Sequence, residues 1–163
     1  MTIAHETPVV AEVHDDGHSS AIPKRKVAIV TCMDARMLTD KIFELEKGDA
    51  HVIRNAGGRA SEALRSLIIS EQLLGTEKII IAQHTDCGMQ KFTNDELHAR
   101  MKTEMGVDSS QIDFLPFKDL EQNVRDDMQL LRDSKYIPKH IQITGFIYNV
   151  KDEVLVPVKS HAV

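Results

Sequence analysis

The sequence predicts an α/β fold: three αβα layers around a mainly parallel central sheet of four strands, with an antiparallel strand added at one edge. Two observations carry this expectation. Short runs of β-branched and apolar residues alternate with segments of helical periodicity, the pattern of parallel strands joined by helical crossovers. The last two such runs are separated only by Lys151, Asp152 and Glu153, a link too short for a crossover and suited to an antiparallel hairpin.

Residues 1–25 are polar, with His14, Asp15, Asp16, Gly17, His18, Ser19 and Ser20 in one run, and read as a flexible or partner-wrapping arm. Residues 26–163 then form a single domain. Val27 to Thr31 is the first strand, apolar along its length as expected for a strand covered on both faces. His51 to Ile53 and Lys78 to Ala82 repeat the pattern, and Ile141 to Val150 with Val154 to Val158 complete the sheet. Between strands, Ser61 to Leu74 is helical, with Gly75 as its stop. Leu64, Leu67, Ile68, Ile69, Leu73 and Leu74 make this helix apolar on more than one side. It therefore needs two partners: the sheet, and either a second subunit or a helix of the same chain. Thr93 to Glu96 is a capping-box pattern opening a helix that ends before Gly106. Phe117, Leu120, Val124, Met128 and Leu131, at spacings of three and four, give the last helix one core-facing stripe.

The 163 residues match one domain, and a chain of this size buries roughly 68–70% of its unfolded surface on folding. With 42% hydrophobic and 28% charged residues, the composition is that of a globular protein and excludes disordered and fibrous classes. A net charge of −5 supplies no basic field for a phosphate backbone, which argues against nucleic-acid binding. The longest apolar run, Ile79 to Ala82, falls far short of a membrane span. The N-terminus has neither the basic start nor the apolar core of a secretory signal, so a cytoplasmic location is expected.

Two cysteines are present, Cys32 and Cys87. In a reducing compartment such a pair is more often metal-binding or catalytic than a disulfide. Strand Val27 to Thr31 runs into Cys32, Met33, Asp34, Ala35, Arg36, and strand Lys78 to Ala82 into His84, Thr85, Asp86, Cys87, Gly88. Both clusters begin at carboxyl ends of strands, the edge where open parallel sheets bind ligands. Adjacent placement of these strands would bring Cys32, His84 and Cys87 together. Two thiolates and an imidazole suit zinc, one ion per chain, with a fourth position open as in catalytic sites. Asp34, two residues from Cys32, is a possible fourth ligand in a closed state. Arg36 is suited to hold its carboxylate off the metal through a bidentate pair, so that a zinc-bound hydroxide can take the position.

These residues are familiar as a set. CMDAR followed by HTDCG resembles the C-x-D-x-R and H-x-x-C signature of beta-class carbonic anhydrases, and HVIRNAGG resembles that family's second strand and active-site loop. The resemblance covers about Val27 to Gly88. It implies Cys32, His84 and Cys87 as zinc ligands, Asp34 and Arg36 as a catalytic dyad, and reversible hydration of carbon dioxide to bicarbonate. It also implies a dimer-based assembly, a homodimer or a dimer of dimers. The chain has no Trp, so the Trp-containing bicarbonate site of some members is absent in that form. Relatives that hydrolyse carbonyl sulfide or carbon disulfide use the same metal set, which makes that activity the alternative enzyme reading. A zinc-stabilised binding module without catalysis is the non-enzymatic one.

Plainer readings stand beside these. Cys32 and Cys87 could be buried small hydrophobes, and Asp34 with Arg36 an ordinary ion pair. His14 and His18 belong to the arm, with no third ligand nearby in sequence. His51, His98, His140 and His161 are scattered, and one of them could shuttle protons. Asn55, Ala56, Gly57 and Gly58 read as a tight turn rather than a nucleotide cradle, since the G-x-G-x-x-G spacing is absent. Thr85 and Asp86, between ligands, are candidates for hydrogen bonds to a ligand or for simple turn formation.

Overall fold

A computed structural model describes residues 20–160. The chain runs β1 (Val27–Cys32), α1 (Thr39–Ile42), β2 (Ala50–Asn55), α2 (Ala60–Leu74), β3 (Lys78–His84), a 3-10 turn (Gly88–Gln90), α3 (Asn94–Met105), α4 (Leu120–Asp133), β4 (Gln142–Asn149) and β5 (Val154–Val158). The strand order is β2-β1-β3-β4-β5. β1 lies parallel to β2 and to β3, β3 parallel to β4, and β5 antiparallel to β4. Most of the arm expected over residues 1–25, with His14 and His18, lies outside the described residues, as does His161.

The connection from β1 leads to one side of the sheet and that from β3 to the other. This makes the carboxyl ends of β1 and β3 the switch point at which a crevice opens. Every residue of β1 is buried, which explains a sequence apolar but for Thr31, whose Oγ1 donates to the Ala82 carbonyl. The core lies on one face, where Ala28, Val30, Ile79, Ile81 and Ile143 meet Ala63 and Leu67 of α2 and Val124, Met128 and Leu131 of α4. The second partner of α2 is thus α4 of the same chain; Leu73, on its outer side, is exposed. Helix α4 rides closely on β4: a Cβ placed on Gly145 would come within 2.6 Å of Val124 and 2.7 Å of the Met128 sulfur, so no larger residue fits without moving the helix.

The opposite face carries a thinner layer. Phe43 and Leu45 line a shallow depression with Val27, Ile29 and Ile80, and Ile42 of the short α1 packs with Tyr148 and Leu155. Helix α3 begins with the expected capping box, Thr93 Oγ1 accepting from the Glu96 N–H at 3.3 Å and the Glu96 carboxylate from the Thr93 N–H at 2.8 Å.

The start of the last helix differs from the sequence reading. Helix α4 starts at Leu120, capped by the Asp119 carboxylate on the Gln122 N–H, so Phe117 precedes the helix. The left-handed Leu115 (φ 57) and Pro116 keep the chain non-helical there. Phe117 packs instead with Cys32, Met37, Cys87 and Tyr148 in a second apolar cluster under the carboxyl ends of β1 and β3. Among the described residues, no helix is long and apolar enough to cross a membrane.

Candidate metal centre

Cys32 closes β1, His84 closes β3, and Cys87 follows one turn later, its position set by Asp86 in a left-handed conformation (φ 52). The ligand-capable atoms of these three residues lie within 4.8 Å of one another. All three side chains are buried, at 4%, 0% and 2% relative exposure. The His84 Nδ1 lies 2.8 Å from the Thr85 carbonyl, which can only accept, so the proton belongs on Nδ1. Its Nε2 is left with a bare lone pair, buried and without a hydrogen-bond partner. An orphaned buried imidazole nitrogen beside two thiols supplies three of the four donors that a tetrahedral thiophilic cation takes.

The thiols themselves carry the same message. Cys32 is pushed down to about 4, chiefly by the hydrogen bond from Cys87, which outweighs the upward effect of burial, with help from His84 and backbone N–H groups. Cys87 is pushed up, by the same hydrogen bond and by burial. The pair therefore holds one proton between two sulfurs, a position that a cation can occupy in its place. For His84, burial pulls downward, but the neighbouring Cys32 sulfur and the Thr85 carbonyl outweigh it and the net direction is upward.

The loop after β2 shapes the floor. The Gly57 N–H points at the Cys32 sulfur at 3.4 Å. Gly58 (φ 63) passes so close to β1 that a Cβ there would lie 2.9 Å from the Thr31 carbonyl carbon. Only glycine permits that approach. Asn55 closes the turn by accepting from the Arg59 N–H and donating to the Arg59 carbonyl. The glycines thus serve a tight turn against a ligand thiol.

Asp34 and Arg36 stand at the rim. Arg36 Nε and Nη2 reach the two Asp34 carboxylate oxygens at 2.9 and 2.8 Å, and the Arg36 N–H adds a third bond at 2.9 Å. This contact holds the Asp34 carboxyl well below the usual carboxylate range. Asp34 Oδ2 is 3.7 Å from His84 Nε2, next to the three ligand atoms but engaged with the guanidinium. The other edge of Arg36 faces Asp86, Nη1 meeting Oδ2 and Nη2 the backbone carbonyl, both at 3.0 Å. Asp86 does not bond a ligand side chain, whereas Thr85 does, through its carbonyl; Thr85 is itself tied to the end of β4 at Tyr148 and Val150.

Some supporting residues escaped the sequence reading. Arg54 donates to the carbonyls of Cys32 and Asp34 at 3.0 and 2.7 Å, fixing the backbone that carries both side chains. Behind the site, Asp127 of α4 accepts from Arg59, from the Ala60 N–H and from Gln83, the residue before His84. His51 bonds Ser70 and the Ala21 carbonyl, His98 bonds Ser109, and His140 is exposed; none of these joins the ligand group.

The sequence profile of the family described as carbonic anhydrase matches residues 27–155. Beta-carbonic anhydrase 1 of Mycobacterium tuberculosis is 37% identical over 131 residues, 78% of each chain. A carbon disulfide hydrolase of Acidianus sp. is 34% identical over 151 residues, covering 78% of this chain and 74% of that one. The crystal structure of a carbonic anhydrase from Streptococcus mutans superimposes with a TM-score of 0.82 at 49% identity, covering 85% of this chain and 84% of that one. With the fold, the Cys-His-Cys cluster and these relatives in agreement, the chain belongs to the beta-carbonic anhydrase family.

Proposed function

We propose that the chain catalyses the reversible hydration of carbon dioxide to bicarbonate and a proton, with one zinc ion held by Cys32, His84 and Cys87. The observation that carries this reading is the buried, partnerless His84 Nε2 facing two thiols, beside a carboxylate that an arginine holds aside. Zinc bound by three protein ligands supplies a Lewis acid that brings the pKa of a water to about 7.

The protein's own groups do the rest. Arg36 fixes Asp34 in a single orientation through two parallel N–H···O bonds, leaving the fourth ligand position to water. Because Asp34 stays ionised, it acts as a hydrogen-bond acceptor that orients the nucleophile rather than as a store for the released proton. Release of Asp34 from Arg36 would let the carboxylate close the site. The apolar cluster of Met37, Phe117 and Tyr148 beneath the cysteines excludes bulk water and suits a small uncharged substrate.

Carbon disulfide hydrolysis by the same residues is the second reading, favoured by the 34% identical relative. We further assign the chain to the cytoplasm, and to a homodimer or dimer of dimers, the latter supported by the exposed Leu73 on the outer side of α2. Stopped-flow assays with carbon dioxide, carbonyl sulfide and carbon disulfide at pH 8, on protein of measured zinc content, test the proposal. The expected result is one zinc per chain with carbon dioxide turned over fastest. Fast turnover of carbon disulfide alone would select the second reading, and a zinc-loaded protein inactive on all three would make the chain a binding module.

A further inference from the structure

Arg36 is engaged on both edges, and only one of these engagements belongs to the dyad. Its Nε/Nη2 edge serves Asp34, while Nη1 and Nη2 reach the side chain and the carbonyl of Asp86, each at 3.0 Å. The second Asp86 oxygen accepts from Lys91 at 2.6 Å. Charges therefore alternate along Lys91, Asp86, Arg36 and Asp34, running from the exposed rim to the ligand cluster. Asp86 lies between two ligands in sequence yet turns away from them, and it keeps a left-handed backbone (φ 52) that places its carboxylate and carbonyl on the same guanidinium. From this juxtaposition we infer that Asp86 is a positioning residue for the reaction, anchoring the free edge of Arg36 so that Arg36 holds Asp34 away from the metal position.

The Arg36 side chain is 45% exposed, and an exposed arginine held by a single carboxylate gains little from the pair and keeps much of its rotamer freedom. An unanchored guanidinium would travel with Asp34 toward the ligand cluster or leave it, and either movement closes the site. Bound to a second acceptor pair, the planar fork has one orientation in which all its bonds are made. Lys91 acts in the same way further out, holding the Asp86 carboxylate to the rim. The turn that spaces His84 from Cys87 thus also carries the brace for the Asp34 switch, which couples ligand spacing to gate position through one residue.

This inference rests on the dyad reading of Asp34 and Arg36, and the experiment separates the two. Arg36→Ala, Asp86→Gly, Asp86→Asn and the double variant Arg36→Ala/Asp86→Gly are prepared with cobalt in place of zinc. Glycine accepts the left-handed backbone without a side chain, and asparagine keeps an acceptor for Nη1. Three quantities are read: the thiolate-to-cobalt absorption, its perturbation by azide as a test of an open fourth position, and the carbon dioxide hydration rate. Asp86→Gly is expected to keep the thiolate band while azide affinity and hydration rate both fall about tenfold, the usual scale for loss of a group that orients a metal site. Asp86→Asn should recover most of both. In the Arg36→Ala background, removing Asp86 should change nothing further. Wild-type azide binding and rate in Asp86→Gly, with Arg36→Ala impaired, would overturn the inference and leave the dyad intact. A loss in the double variant that adds to that of Arg36→Ala would also overturn it, since Asp86 would then be supporting the turn rather than the arginine. Full activity and azide response in Arg36→Ala would sink the dyad reading itself.

Discussion

Two arginine–aspartate forks stand close to the Cys32, His84 and Cys87 cluster and differ mainly in their burial. Arg36–Asp34 is a 2.8 Å pair whose side chains are 45% and 19% exposed, whereas Arg59–Asp127 is a 3.1 Å pair at 13% and 1%. The buried Asp127 accepts four hydrogen bonds, from Arg59 Nε and Nη2, the Ala60 N–H and Gln83 Nε2. Asn123 completes the network by donating to Gln83 at 2.7 Å. In doing so Asp127 joins α4, the start of α2, the loop after β2 and the strand that ends in His84. The exposed pair joins only the rim, where Arg36 ties Asp34, after β1, to the side chain and carbonyl of Asp86, after β3. Burial makes one fork a joint that must be complete, whereas the exposed fork keeps its place through its own bonds at the rim.

The buried joint is the more sensitive of the two to substitution. Asp127→Ala leaves Arg59 charged and unpaired beside Phe117 and strips Gln83 of an acceptor. Removal of one partner of a buried pair costs about 3–5 kcal/mol. Denaturant unfolding should show a loss of that size, with metal affinity falling as well because Gln83 adjoins His84. A variant within about 0.5 kcal/mol of wild type would show that the network is incidental.

A third carboxylate sharpens the contrast, because it has no arginine at all. Both Glu71 oxygens are buried without a hydrogen-bond partner, and burial pushes the group up to about 7 from an ordinary 4.5. Between those values the folded chain keeps a proton that the unfolded chain releases, so stability falls as pH rises through the window. Glu71→Gln should therefore stabilise the protein at pH 8 by on the order of 1 kcal/mol and leave it nearly unchanged at pH 4.5. Equal unfolding midpoints for variant and wild type at both pH values would contradict the assignment.

The sequence made the framework legible where pattern and function coincide. The apolar runs of β1, β2 and β3 located the strands to within two residues at each end. The capping residues Thr93 and Glu96 opened α3, and Gly75 closed α2 in the left-handed conformation expected of it (φ 72). Because β1 and β3 are neighbours at the switch point, Cys32, His84 and Cys87 converge as their placement after strands implied. What stayed hidden depended on contacts distant in sequence. Asp127 lies beside the apolar stripe of α4 and reads as a solvated charge until Arg59 is placed against it. Asp86 reads as a turn residue until Arg36, 50 positions earlier, is brought to it. The four-residue α1 has no buried residue and no side-chain cap, so nothing in its pattern announces it.

The difference between the two forks is tested most directly by Arg36→Ala, with zinc content, unfolding free energy and carbon dioxide hydration measured on the same preparation. Cys32, His84 and Cys87 are untouched, so zinc content and unfolding free energy should both stay close to wild type, as for most exposed positions. Hydration should nevertheless fall by roughly 10–100-fold, because Asp34 loses the partner that holds it aside. Full hydration activity at full zinc occupancy would contradict this, and would make Arg36–Asp34 a surface ion pair with no role in the reaction.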